Sequence, residues 1–335
     1  MWNLRLRRMN CSVMLVLAVA LCASGAAVAQ KAGKGGGGGG GGGGGKGGGK
    51  GGGGGGGGGS AIHLEGVGDS IMRGLNASCT RNDLWGLLTC VSSEDSTDLQ
   101  YSFFDGASGS VMSLRDRYST VSSSVTASQG AAAVGSEMTD PAKNNFAAQA
   151  AAVVSSVSVP TQVVVELGGN DLCNRSPGSL YDGETWRQAV NAGLDVLVNG
   201  LPDGSTVFLA SVPRVQDLYA AGLQKQATTS NVSCTWFWRE LDICPIVTSG
   251  NPNDIEAIAQ QQQLYNGILR DSATQFNSRA TETGVEVVAE FAQSGVSTGT
   301  YAFGAGDING GDCFHPSTQG QNKISELLWG NDPFK

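Results

Sequence analysis

Histidine is nearly absent from this sequence. Only His63 and His315 occur in 335 residues, so chemistry that needs an imidazole near neutral pH has two places to reside. No two cysteines have C-x-x-C spacing, which removes the usual structural zinc sites. Acidic residues are missing from the first 60 positions, which hold seven of the 21 lysines and arginines. Basic residues are correspondingly scarce afterwards: from Ala61 onward 14 stand against 29 acidic ones, a net charge of −15. So acidic a surface repels phosphate backbones and anionic lipid, which excludes nucleic-acid binding and a polybasic membrane role. Glycine is abundant but lacks a G-X-Y period, so collagen is excluded. The apolar run from Cys11 to Cys22 is shorter than the roughly 20 residues a transmembrane helix needs, and an uncleaved anchor reaching Ala29 is the alternative reading.

What is present divides the chain in three. Arg5, Arg7 and Arg8 precede that apolar run, and Ala27-Val28-Ala29 offers the small residues a signal peptidase reads, so residues 1–29 are expected to be a secretory signal peptide. No stable membrane insertion is expected once it is cleaved. Residues 30–60 hold 24 of the 52 glycines, interrupted by Lys31, Lys34, Lys46 and Lys50. Such a segment buries no side chains to offset backbone entropy and is expected to be a disordered linker. Residues 61–335 are long enough for one large domain with its own core, expected to be a monomer. Six cysteines remain there, Cys79, Cys90, Cys173, Cys234, Cys244 and Cys313, and an even number in a secreted chain predicts disulfides. Asn76-Ala77-Ser78, Asn174-Arg175-Ser176 and Asn231-Val232-Ser233 would accept N-glycans in a eukaryotic secretory pathway.

From Ala61 short apolar runs alternate with longer amphipathic stretches. Ile62 to Val67, Leu99 to Phe104, Gln162 to Leu167, Thr206 to Ser211 and Val285 to Ala289 read as strands. Ser70 to Leu88, Lys143 to Val157, Glu184 to Asn199, Asp254 to Thr283 and Ser317 to Leu328 read as helices. The alternation predicts an α/β fold, a five-stranded parallel sheet with helices on both faces. Ligands in such folds sit beyond the strands' carboxyl ends.

Three polar clusters fall where that rule directs the search. Gly68-Asp69-Ser70 follows the first strand and places a serine hydroxyl where chain direction changes. Gly168-Gly169-Asn170-Asp171 follows the Gln162 to Leu167 strand, and paired glycines let that loop turn sharply. Asp312-Cys313-Phe314-His315-Pro316 lies in the last loop, with a carboxylate three residues before an imidazole, close enough to fix its tautomer. His63, inside the first strand, reads as structural. Gly295-Val296-Ser297-Thr298-Gly299 fits the G-x-S-x-G elbow, but the glycine-rich sequence after Ser297 cannot supply the helix that motif requires. Asp307 to Asp312 has some spacing of a calcium loop, yet Gly311 stands where a ligand belongs and no glutamate closes it.

Together the three clusters, in this order, resemble the GDSL or SGNH hydrolase family, over Gly66 to Ser317. The resemblance implies a three-layer flavodoxin-like fold and a carboxylic ester hydrolase. It makes Ser70 the nucleophile, His315 the base and Asp312 its orienter. The backbone N–H groups of Ser70 and Gly109 and the amide of Asn170 would form the oxyanion hole. Gly109 enters through Phe104-Asp105-Gly106-Ala107-Ser108-Gly109, the small-residue turn after the expected second strand, in which Gly106 is a rival. Asp69 and Asp171 read as loop-shaping acceptors. Such a site needs no metal or organic cofactor. Ser211-Val212-Pro213, Leu218-Tyr219 and the Cys234 to Cys244 segment with Trp236 and Trp238 look like the secreted lipase and phospholipase B-like branch.

The expected activity is that of a secreted esterase or lipase. Its substrates would be small-molecule, lipid or acylated-polysaccharide esters, lipid-like esters slightly ahead. The alternative is a non-catalytic cell-wall or polysaccharide-binding protein on the same fold, which has no need of the full set. If Asn170 and His315 face one oxyanion their loops lie side by side, so Cys173 is expected to pair with Cys313. Cys79 with Cys90 and Cys234 with Cys244 would then close local loops.

Overall fold

The computed structural model describes residues 61–83, 86, 98–173, 176–290 and 302–335. The expected signal peptide and linker lie outside the described residues, as do Cys90, Asn174 and Ser297. β1 (Ile62–Gly68), β2 (Val125–Ser128), β3 (Gln162–Glu166), β4 (Thr206–Leu209) and β5 (Glu286–Ala289) form one sheet. Its order is β2-β1-β3-β4-β5, and each neighbouring pair is parallel. β3 lies at the centre and is buried at every position, as a strand covered on both faces must be. Its Val163-Val164-Val165 run meets that demand with β-branched side chains. Val163 and Val165 join one apolar cluster and Val164 the other, so the alternation of a strand divides one sequence between two cores.

The helices are α1 (Leu114–Tyr118), α2 (Phe146–Ser156), α3 (Gly169–Cys173), α4 (Gly183–Gly200), α5 (Leu218–Thr228), α6 (Cys234–Leu241), α7 (Pro245–Thr248), α8 (Pro252–Asn277), α9 (Ala280–Thr283) and α10 (Thr318–Asn331). Their starts follow local chemistry: the side chains of Asn145, Asp182, Asn251 and Ser317 accept backbone N–H groups that open α2, α4, α8 and α10. Helices α2, α4 and α8 cover one face of the sheet, where Trp186 and Tyr265 stack at 3.8 Å. Helices α1 and α10 cover the other. The result is the expected three-layer α/β architecture, and no helix among the described residues is long and apolar enough to cross a membrane.

Two expected elements are different. Leu99 to Phe104 is not a strand; a short 3-10 turn occupies Asp98–Tyr101, and the fully buried Phe103 and Phe104 plug the core beneath α1 and α10. The missing strand is β2. It is an edge strand whose residues alternate half-buried and exposed, so Val125-Thr126-Ala127-Ser128 carries too little apolar signal to stand out. Residues 70–78 of the expected Ser70 to Leu88 helix are turns, because Gly74 (φ 69°) and Asn76 (φ 56°) adopt left-handed backbone that interrupts helical winding.

Two of the three expected disulfide pairings, Cys173 with Cys313 and Cys234 with Cys244, are also different. Cys173 bonds Cys244, and Cys234 bonds Cys313, with Cα separations of 4.5 and 5.4 Å. Cys234 opens α6 and Cys244 stands at the start of α7, and each reaches a different loop. Cys79 is also disulfide-bonded. The described bridges span 71 and 79 residues, and the chain-entropy model gives on the order of 4 kcal/mol for loops of that length.

Helices α2 and α4 meet where Gly193 faces Phe146. A Cβ on Gly193 would lie 2.2 Å from the phenyl ring, and a ring buried in a packed core has nowhere to move. Gly193→Ala is therefore expected to destabilise the domain by about 1–3 kcal/mol despite alanine's better helix propensity. Urea unfolding checks this; an unchanged or higher midpoint would contradict the packing.

Candidate active site

Two carboxyl ends of the sheet and the last loop converge. β1 ends at Gly68, whose N–H and C=O are both held by the side-chain amide of Gln149 on α2, at 2.8 and 3.0 Å. The chain then turns through Asp69, whose Oδ1 accepts the Ile71 N–H at 2.7 Å, and so presents Ser70. After β3, Gly168 takes φ 112°. A Cβ there would stand 2.8 Å from both Trp186 and Val212, so only glycine lets the chain pass and start α3 with Asn170 in its first turn. The last loop, between the isolated bridge residues Ile308 and Pro316, brings Asp312 and His315.

His315 Nε2 lies 2.8 Å from Ser70 Oγ, and His315 Nδ1 lies 2.7 Å from Asp312 Oδ2. Asp312 is almost completely buried, and burial by itself would push its carboxyl up. The neighbouring His315 and a set of hydrogen bonds outweigh that and hold it below the usual carboxylate range. Oδ1 accepts from Asn309 Nδ2 at 2.8 Å and from the N–H groups of Phe314 and His315 at 2.8 and 2.9 Å. Oδ2 accepts from Asn76 Nδ2 at 2.6 Å. An ionised carboxylate only accepts, so the imidazole carries its proton on Nδ1 and Nε2 accepts from the serine hydroxyl. Burial opposes the charged imidazole too, but Asp312, with Asp69 and Asp98 behind it, wins and raises the His315 pKa above its ordinary 6.5.

Asn170 Nδ2 donates to Ser136 O at 2.8 Å and to Asp69 Oδ2 at 3.3 Å. Asp171 accepts the Met138 N–H and the Thr139 hydroxyl at 2.8 and 2.7 Å. Asn170 and Asp171 thus fasten the segment after β2 beside Ser70, and Ala133 N–H donates to Gly68 O from the same segment. Gly109 is an exposed residue in the loop before α1 and not in the turn after β2, and the N–H of its rival Gly106 donates to Ser102 O. The turn after β2 reaches Gly135, with φ 76° and open space where a side chain would stand, next to the Ser136 carbonyl that Asn170 holds.

Several residues that shape the site carried little sequence signal. Gln149 is the one amide in Phe146-Ala147-Ala148-Gln149-Ala150, and it is fully buried. Trp238 on α6 donates its indole N–H to Asp312 O at 3.1 Å. The same helix starts at Cys234, bonded to Cys313, whose φ of 55° turns the chain between Asp312 and His315. Asn76 was legible as a glycan acceptor, but it is 5 % exposed with its amide on Asp312; Asn231 is exposed. His63 bonds Thr126 Oγ1 at 2.8 Å, lining a cavity of about 240 Å³ against β1, β2 and the end of α2 that contains none of Ser70, Asn170, Asp312 and His315. Asp307, first residue of the stretch that resembles a calcium loop, pairs with Lys323 Nζ at 2.7 Å.

The GDSL-like lipase/acylhydrolase family profile matches residues 64–328. No curated protein sequence matches the chain. Among solved structures, a family two carbohydrate esterase from Clostridium thermocellum in complex with cellohexaose is 14% identical at a TM-score of 0.40, the match covering 80% of this chain and 62% of that one. An inhibitor-bound aryl esterase from M. smegmatis is 13% identical at 0.38, covering 81% of this chain and 100% of that one. This chain thus spans under two thirds of the carbohydrate esterase's length.

The buried acids make stability and pH run in a definite direction. Burial raises Asp69 to about 7 and Asp171 to about 6, and lifts Glu166, which also feels Asp69, well above the carboxylate range. A carboxyl raised by folding favours the folded state fully below its unfolded value of 3.8 and stops doing so as pH climbs through its folded value. The raised His315 loses its contribution in the same direction. Asp312, lowered, contributes above 3.8 and fails only in stronger acid. Thermal unfolding is therefore expected at a higher Tm at pH 5 than at pH 8, and a Tm that rises over that interval would contradict these burials.

Proposed function

The chain belongs to the GDSL-like lipase/acylhydrolase family and is a carboxylic ester hydrolase; from that premise we propose that Ser70, His315 and Asp312 are its catalytic triad in a secreted esterase. The observation that carries this reading is the unbroken relay from Ser70 Oγ to His315 to Asp312, with contacts of 2.8 and 2.7 Å.

In the proposed mechanism His315 Nε2 takes the Ser70 proton as Oγ attacks the ester carbonyl, and Asp312 stabilises the imidazolium that forms. The tetrahedral oxyanion is met by the backbone N–H groups of Ser70 and Gly135 and by Asn170 Nδ2, whose contact to Asp69 at 3.3 Å is the weaker of its two and the easier to exchange for an oxyanion. His315 returns the proton to the leaving alcohol. Water, deprotonated by the same imidazole, then releases the acyl group from Ser70. None of these steps calls on a metal or an organic cofactor.

Secretion of residues 61–335 by a cleaved signal at 1–29, with 30–60 as a spacer, belongs to the same proposal. Disulfides tying both polar loops to α6 and α7 support an oxidising compartment. Lipid-like acyl esters are the proposed substrates, ahead of acylated polysaccharide.

Release of p-nitrophenol from short and medium acyl esters tests the reading. Ser70→Ala is expected to lower kcat by on the order of 10⁴- to 10⁶-fold, and Asn170→Ala by about 10²- to 10³-fold, while Ser297→Ala retains activity. A folded, active Ser70→Ala would end the proposal. The acid limb of kcat/KM should have its midpoint above the ordinary imidazole value of 6.5, because protonated His315 cannot accept the serine proton. A midpoint below that value would show that Asp312 does not govern the base.

A further inference from the structure

The chain after Ser70 does something no helix would do. Gly74 and Asn76, both left-handed, swing it across the site. The fit is tight: a Cβ on Gly74 would stand 2.8 Å from Asp98 O and 2.9 Å from Ser102 N. Asn76 N–H donates to Asp98 Oδ2 at 3.0 Å, and this fixes where its side chain goes. That side chain is buried, and its Nδ2 donates at 2.6 Å to Asp312 Oδ2, the oxygen that also faces His315 Nδ1.

The two oxygens of Asp312 are held differently. Oδ1 has three donors within residues 309–315 and travels with its own loop. Oδ2 has one donor besides the imidazole, and that donor comes from the segment carrying Ser70. We propose that Asn76 is a positioning residue of the acid–base pair, its amide setting the plane of the Asp312 carboxylate and linking the serine segment to the histidine loop. The inference rests on the triad reading above and goes beyond it.

A residue needed only for left-handed backbone is replaced by glycine without loss, since glycine adopts that region most easily. A residue needed for its amide is not. Without the amide, Oδ2 keeps its charge but loses the donor that shares it, so the imidazolium is held more tightly and the acid limb moves up. The ionisable groups around His315 are Asp312, Asp69 and Asp98, with Glu166 behind Asp69, and all four remain in the variant.

Asn76→Gly is therefore expected to lower kcat about 10- to 100-fold, as for a hydrogen bond to a charged group, with KM within about twofold and the acid limb of kcat/KM displaced upward. Asn76→Asp keeps the side-chain shape and the N–H to Asp98 but sets a second carboxylate against Asp312. It is expected to show the same loss above neutral pH, and it carries the test if the glycine variant does not fold. Either folded variant with wild-type kcat and pH profile at pH 8 overturns the inference. Ser70→Ala and Asp312→Ala are measured alongside. If both are inactive while Asn76→Gly is unimpaired, this inference alone fails; if either is active, the triad reading fails and takes this one with it.

Discussion

A buried carboxylate is the constraint around which the domain is organised. Asp312 sits almost wholly out of water, where an unpartnered anion is so costly that it would protonate instead. Five hydrogen bonds keep it ionised, and they come from different parts of the chain: Asn309, the backbone of Phe314 and His315, the His315 ring and Asn76. Only the folded arrangement supplies all of them. The requirement that one carboxylate stay charged thus ties a turn near residue 76 to a loop near residue 312, at opposite ends of the sequence, and does so where no strand or helix joins them.

The α6–α7 excursion answers a second requirement, that loops at the sheet's edge hold their geometry without sheet hydrogen bonds. It reaches one way through Cys244 to Cys173, at the end of the helix that carries Asn170 in its first turn, and the other way through Cys234 to Cys313, inside the histidine loop. Trp238 adds its indole N–H to the Asp312 carbonyl, and its ring lies close over Gly222 of α5, 2.1 Å from where a Cβ would stand. Both polar loops are therefore referred to one rigid segment. Covalent links from a common third element position two loops relative to each other, as the direct Cys173 to Cys313 bridge expected from sequence would have done, but with the excursion packed between them.

What the sequence made legible follows from where physical signal is concentrated. The central strands were readable because burial on both faces demands Val163-Val164-Val165 and the like. Ser70, Asn170, Asp312 and His315 were readable because glycine-marked turns flank short polar clusters, and because two histidines leave little choice. β2 was not, since an edge strand with one covered face tolerates Thr126 and Ser128. The expectation of Gly109 depends on Leu99 to Phe104 being the second strand, whereas the turn after β2 reaches Gly135, beside the Ser136 carbonyl that Asn170 holds. Asn76 carried the signal of a surface modification site, and only tertiary contact shows its amide turned inward. Two of the expected disulfide pairings differ because sequence distance does not show that Cys173 and Cys313 each reach the α6–α7 excursion.

The concentration of acids around one imidazole has opposite effects on the two charges the proposed reaction creates. Asp69, Asp98 and Asp312 all favour the imidazolium, so they strengthen His315 as a base. The oxyanion is also negative, and Asp69 lies beside the Asn170 amide that would meet it, so an ionised Asp69 repels what Asn170 attracts. Asp312 escapes this conflict because it acts from the far side of the imidazole and its charge is shared among five donors. Asp69 has the Ile71 N–H and the long Asn170 contact, and burial, with Asp171 adding to it, raises its carboxyl to about 7. Its neutral form is therefore favoured over that of an ordinary aspartate, which lessens its repulsion of the proposed oxyanion. The same burial that weakens Asp69 as an anion limits its opposition to the oxyanion hole proposed beside it.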